Sequence, residues 1–430
     1  MLAAGRRTVA AWVTALAAAL MLPTPVLAEQ FAITGAQVHT GGDAGVIERG
    51  TVWVRDGRIH RVGADDDVSV PEDVRRIDAA GRVLTSGVFD PYSHIGIEEV
   101  SLIEQTVDAR YGGDRWGPGF DVRDAINPDS ALIPVNRIEG VTRALVMPAA
   151  SGASVFSGRG AIIHLGGEHD YLVRSPAAMH VQLGESGAAI AEGSRAAALM
   201  QVRELLQDAS DFADNRRAWE RRTRRDYVAT RLDLEALQPL LRGEMPLIAS
   251  VHRASDIRAV LRLAEAHRLR LIIHGGAEAW RVADAIADAG VPVILDPLNN
   301  LPSRFETLHA TLENAARLHA AGVTIAFGSG GSHNARNVTQ AAGIAVANGL
   351  PHEVALAAIT SVPARILGVG DRIGRLQSGY EADLVLWDGD PLEVTSYPDQ
   401  VFIAGREIDM RSRQTELRDR YLERLGLGGR

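Results

Sequence analysis

Short runs of β-branched and other apolar residues recur along the middle of the chain, and alanine-rich stretches with helical spacing separate several of them. Eight such runs, at 87–92, 142–147, 161–165, 178–183, 246–252, 269–274, 291–295 and 322–328, predict eight strands. Residues 256–267 and 277–289 carry the clearest helical pattern between them. Eight β/α steps over residues 85–369 predict a (β/α)8 TIM-type barrel. A doubly wound open sheet is the alternative, but no G-x-G-x-x-G follows the first strand.

Outside this region the period changes. Alternation at 31–34, 51–55 and 58–62 reads as strand, and Asp56-Gly57 between the last two runs is a hairpin signal. Residues 382–387 and 400–404 read as strands again. The flanks 29–84 and 370–410 therefore predict one small β-sandwich domain built from both termini. Residues 411–430 read as a charged helical tail whose stripe of Leu417, Tyr421, Leu422 and Leu425 should dock on the body or on a second subunit.

Residues 1–28 have a third character. Arg6 and Arg7 precede an apolar run from Thr8 to Leu22, and small residues end at Ala28, the layout of a cleaved export signal. The apolar run, about 15 residues, is shorter than the roughly 20 a spanning helix needs. The expectation is an exported, periplasmic chain with no membrane attachment after cleavage.

Composition narrows the chemistry. The chain has no cysteine, and about 400 residues bury enough core to need no disulfide. A net charge of −9 disfavours nucleic acid as a partner. All 45 basic side chains are arginine, so no lysine can act as Schiff base, general base or carboxylated metal bridge.

In a barrel of this kind, chemistry gathers where strands reach their C-terminal ends. That rule selects Tyr92 and His94, His180 and Gln182, His252, His274, Asp296, and the stretch from Gly330 to His333. Residues one apart but one point the same way from a strand, so two histidines in an H-x-H turn grip one ion; here Tyr92 stands in the first position and only His94 remains. Each lone histidine also has a plainer reading as a hydrogen-bonded core residue. His333 is a candidate base, or part of a polar loop that Ser332 caps. Glu98 and Glu99 are replacement acids or surface residues, and Arg253 should point outward. Asp296 closes a strand either as a ligand contact or as an ordinary turn. Six arginines between 216 and 225 read as a solvated helix face balanced by acids, with an anion-attracting lid as the alternative. There is no P-loop, G-x-S-x-G or H-E-x-x-H.

These motifs resemble the metal-dependent amidohydrolase superfamily, in the branch of imidazolonepropionase. The family frame L-x-P-G-x-x-D-x-H-x-H is visible in Leu84, Gly87, Asp90, Tyr92 and His94, with Ser86 for the proline and Tyr92 for a ligand. Near the end, Ser361, Pro363, Ala364, Leu367 and Gly368 match a second signature, followed by Gly374, Gly379 and Asp383. The resemblance implies a hydrolase of carbon–nitrogen, non-peptide bonds in a small, cyclic substrate, and often a homodimer. It also implies one divalent metal, zinc foremost, that lowers the pKa of a bound water and polarises the electrophile. Carried over by position, His94, His252 and His274 are the metal ligands. Glycine at 330 stands where the family has the aspartate that serves as ligand and proton shuttle. The expectation is therefore a hydrolase with His333 as substitute base and Tyr92, His180 and Asp296 at the substrate. The rival is a metal-free, catalytically inactive barrel that binds a small molecule or a partner protein.

Overall fold

The computed structural model describes residues 30–427 apart from 114, 116, 151, 153, 168 and 169; the expected export signal, 1–28, lies outside the described residues. Two eight-stranded sheets organise the chain. The first joins β1 (Gln30–His39), β2 (Val46–Arg55), β3 (Arg58–Ala64), β4 (Arg75–Asp78) and β5 (Val83–Ser86) to β14 (Leu384–Trp387), β15 (Pro398–Ile403) and β16 (Arg406–Glu407). The β5–β14 pairing brings the two ends of the sequence together, and Phe31 stacks on Phe402 at 4.6 Å in the core beneath them.

The second sheet runs in strict chain order: β6 (Val88–Ser93), β7 (Val141–Val146), β8 (Phe156–His164), β9 (Leu172–Gln182), β10 (Leu247–Val251), β11 (Leu271–Gly275), β12 (Val293–Leu295) and β13 (Ile325–Phe327). Its two edges meet, because Gly330 N–H donates to Tyr92 O and His94 N–H to Gly331 O, both at 2.9 Å. This is the expected barrel, with one difference. β8 runs antiparallel to both β7 and β9. The reason is length: a parallel crossover needs a dozen or more residues, commonly a helix, and the short links on either side of β8 hold neither.

Period-two alternation builds the barrel interior. Ala178, Ile248, Ile272, Ile294 and Ala326 point inward as one apolar layer. Two residues further along each strand the same inward direction is taken by His180, Ser250, His274, Asp296 and Gly328. The intervening residues, such as Val181, Ala249, Ile273 and Leu295, point outward under the helices. A dry layer thus supports a polar one at the C-terminal mouth.

Between β9 and β10 lie helices including α1 (Arg195–Glu220) and α2 (Arg231–Ala236). Here the arginine run is ion-paired: Arg216 with Glu220 and Glu235, Arg224 with Asp211, and Arg225 with Asp208. The solvated-face reading holds for these three. The tail forms α3 (Arg413–Arg424), whose Gln414 bonds to His333 and Arg336. Of its stripe, Leu422 is partly buried, whereas Leu417, Tyr421 and Leu425 are exposed.

Candidate functional site

The polar layer forms two parts, a buried cluster on the barrel axis and a cavity beside it. In the cluster, Tyr92 is 5% exposed. Its ring lies 3.8 Å from that of His274 at an interplanar angle of 9°, and 5.6 Å and 6.1 Å from the rings of His180 and His94. Its hydroxyl is 3.1 Å from His180 Nε2. His180, 1% exposed, meets Ser157 Oγ through Nδ1 and Ser250 Oγ through Nε2, each at 2.8 Å. Ser250 Oγ is also 2.8 Å from His274 Nδ1. His94 Nδ1 donates to Met147 O at 2.8 Å.

Burial keeps these imidazoles neutral. It pushes His180 down to about 3 and His252 to about 4, holds His274 well below its usual value, and lowers His94 despite its bond to the Met147 carbonyl. The same burial raises the Tyr92 phenol and lifts the Asp90 carboxyl to about 7, against the hydrogen bonds that favour its charged form. Those come from Tyr92 N–H at 3.0 Å, Ser329 N–H at 3.2 Å and the Ser329 hydroxyl.

Beside the cluster opens a cavity of about 330 Å³. Its wall includes His252, His274, Asp296, Arg304, Asn314 and Ser329. His252 Nδ1 is buried there and has no hydrogen-bond partner among the described residues. Gly275, at φ +92°, leaves room for that imidazole: a Cβ would sit 2.5 Å from His252 Cε1. Asp296 accepts from Leu298 N–H at 3.0 Å as a turn would, and also faces the cavity; burial raises its carboxyl.

The expected site residues thus separate. His252, His274 and Asp296 share the cavity wall. Tyr92 and His180, expected at the substrate, are instead locked in the buried cluster, because hydroxyls and stacked rings already satisfy them. His333, expected as the base, is outside the cavity; its Nε2 accepts from Gln414 of the tail helix at 2.9 Å. Ser332 makes no cap, since its hydroxyl donates to Glu98, which is partly buried and not a free surface acid. Arg253 pairs with Asp256.

The expected metal ligands are not gathered into a coordinating set. Among the described residues, no three His, Cys, Asp or Glu side chains stand as an ion would require. His180 spends both nitrogens on hydroxyls, Tyr92 stands among the rings, and Gly330 adds no carboxylate. The residues present do not fit a metal ion. Sequence reading missed Ser157, Ser250 and Ser329. Ser250 was within reach of it, because it shares the parity of His252, two residues on, and so must face the barrel axis.

Comparison with known proteins agrees with this architecture. Residues 276–410 match the model of the amidohydrolase family. Amidohydrolase tasK of Hapsidospora irregularis is 28% identical over 389 residues, covering 83% of this chain and 39% of that protein, so the chain spans about two fifths of that relative's length. Imidazolonepropionase of Stenotrophomonas maltophilia is 26% identical over 378 residues, 81% of this chain and 88% of that protein. The crystal structure of an amidohydrolase from Thermotoga maritima MSB8 superposes with a TM-score of 0.80 at 26% identity, over 89% of this chain and 100% of that one.

Proposed function

We propose, from the premise that this chain carries an amidohydrolase-family domain on an amidohydrolase fold, that it hydrolyses a carbon–nitrogen, non-peptide bond in a small molecule held in the 330 Å³ cavity. The observation that carries this reading is the pairing of His252 with Asp296 on one cavity wall. His252 is neutral at pH 7 and has an unpartnered buried nitrogen, so it can take a proton from an attacking water. Asp296, whose carboxyl burial raises, can return a proton to the nitrogen as the carbon–nitrogen bond breaks. The bond to carbon is made by the water oxygen, and the amine leaves neutral. No step passes through a metal.

A screen of small lactams, cyclic ureas and amidines, followed by mass spectrometry, tests this. Turnover should fall about a hundredfold or more in His252→Ala and in Asp296→Asn, the usual range for losing an acid or base. Tyr92 favours a second reading, binding without turnover, since it stands among the imidazoles an activating ion would require. That reading predicts ligands that raise the melting temperature of the protein and come back unchanged. Export completes the proposal: the signal-like segment at 1–28 supports a periplasmic site of action, and cell fractionation of the full-length protein checks it.

A further inference from the structure

We infer that Tyr92, together with Ser157 and Ser250, has replaced the metal ion as the element that organises the barrel centre, so that the imidazoles of His180 and His274 are held by a hydrogen-bond chain and not by coordination. This inference is independent of what the cavity binds.

Three contacts of 2.8 Å carry it: Ser157 Oγ to His180 Nδ1, His180 Nε2 to Ser250 Oγ, and Ser250 Oγ to His274 Nδ1. Two assignments of protons, opposite in direction, satisfy all three. In one the Ser157 hydroxyl donates to His180 Nδ1, His180 Nε2–H to Ser250 Oγ and the Ser250 hydroxyl to His274 Nδ1; in the other every donor and acceptor is exchanged. Every member is neutral, as a dry site demands.

The chain has a direct consequence for coordination. Nδ1 of His274 is engaged by Ser250 whichever way the chain runs, so it is not open to an ion. His180 has no nitrogen to spare. His94 keeps the posture of a ligand, donating Nδ1–H to a backbone carbonyl, and His252 has an unpartnered nitrogen, but among the described residues these do not complete a coordinating set.

Tyr92 closes the arrangement from above. Its ring covers His274 in parallel at 3.8 Å, and its hydroxyl reaches the same Nε2 of His180 that Ser250 engages. The aromatic plate supplies bulk and contact area where an ion would have supplied charge. Gly330 fits this account, because a carboxylate there would have no cation to neutralise it.

The experiment uses the mature protein, expressed with zinc and purified without chelator. Elemental analysis should find far less than one zinc, iron or manganese per chain, and calorimetric titration with zinc should show no saturable site. The melting temperature should be the same with and without EDTA. Tyr92→Phe and Ser250→Ala should lower that temperature without changing metal content. Tyr92→His combined with Gly330→Asp should gain a saturable zinc site, and zinc should then raise its melting temperature. Gly330 suits the change: its φ of +62° is one aspartate adopts more readily than most residues, and a Cβ there meets nothing within 4 Å. One firmly held ion per wild-type chain, lost in His274→Ala, would overturn the inference. So would a folded Tyr92→His/Gly330→Asp protein, judged by circular dichroism, that still takes up no zinc. Neither result bears on cavity binding, which the substrate screen reads separately.

Discussion

A single glycine decides where His252 can stand. Because a Cβ at Gly275 would overlap that imidazole and the backbone there has φ +92°, Gly275→Ala should displace His252 from the cavity wall. We expect loss of ligand binding or turnover with a stability cost of about 1–3 kcal/mol, read by urea denaturation alongside a binding assay. Protonation adds a second expectation at this scale. His180 has a folded pKa near 3 against about 6.5 when unfolded. The unfolded chain therefore binds the extra proton first, and the stability His180 contributes, full above about pH 6.5, is lost as pH falls toward 3. Asp90 works the other way: with its folded value raised to about 7, its contribution is greatest below about pH 4 and is lost as pH rises through 7. Melting curves between pH 4 and 8 should show a shallower acid-side loss in His180→Gln, and a smaller loss between pH 5 and 8 in Asp90→Asn. Residue identity alone pointed to His252, His274 and Asp296, because strand parity and the barrel rule place them. It misled at His333, whose neighbour in space, Gln414, lies 81 residues away and announces nothing in the local sequence.

Among the elements, α2 holds more than itself. Its N-cap Thr230 and Asp233 form a capping box, and Asp233 Oδ1 also accepts from Gly117 N–H at 3.0 Å and Gly119 N–H at 2.8 Å. Asp233 is thus both helix cap and anchor for the segment between β6 and β7. Thr230→Ala should cost about 1 kcal/mol, the usual price of a lost cap. Asp233→Ala should cost more, about 2–3 kcal/mol, because it also strands two backbone donors. Proteolysis in the region of residues 110–120 should accelerate in the second variant and not in the first. The positions of all eight barrel strands were legible in the sequence, since each is a short apolar run bounded by turns. The direction of β8 was not, because an apolar run carries no sign of parallel or antiparallel pairing; only the length of the adjoining links does.

At the scale of the whole molecule, one buried arginine ties the two sheets together. Arg143 on β7 is 2% exposed and grips Asp383 with two bonds, of 2.6 and 2.9 Å, and Glu381 with one of 2.7 Å. Asp383 in turn accepts from Ala404 N–H. This gives the C-terminal Ala382-Asp383 signature a physical meaning: it is a fastener of the fold and stands apart from the cavity. Arg143→Met should destabilise by about 3–5 kcal/mol, since Asp383 stays buried without its cation while Glu381 keeps only Arg372, and Arg143→Met with Asp383→Leu should recover part of that in the same denaturation assay. The barrel as a whole was readable because its repeat is, whereas the metal-like histidines were readable only as a set of positions. What holds them depends on serines from other strands. The reversed strand β8 reaches beyond equilibrium structure. Residues 141–182 form an antiparallel meander joined by two short links, while the other neighbouring barrel strands are joined through helical segments. Local pairings close with the smallest loss of chain entropy, so this three-stranded segment is where the barrel should begin to fold, and pulse-labelled hydrogen exchange should find its amides protected before those of β10 to β13.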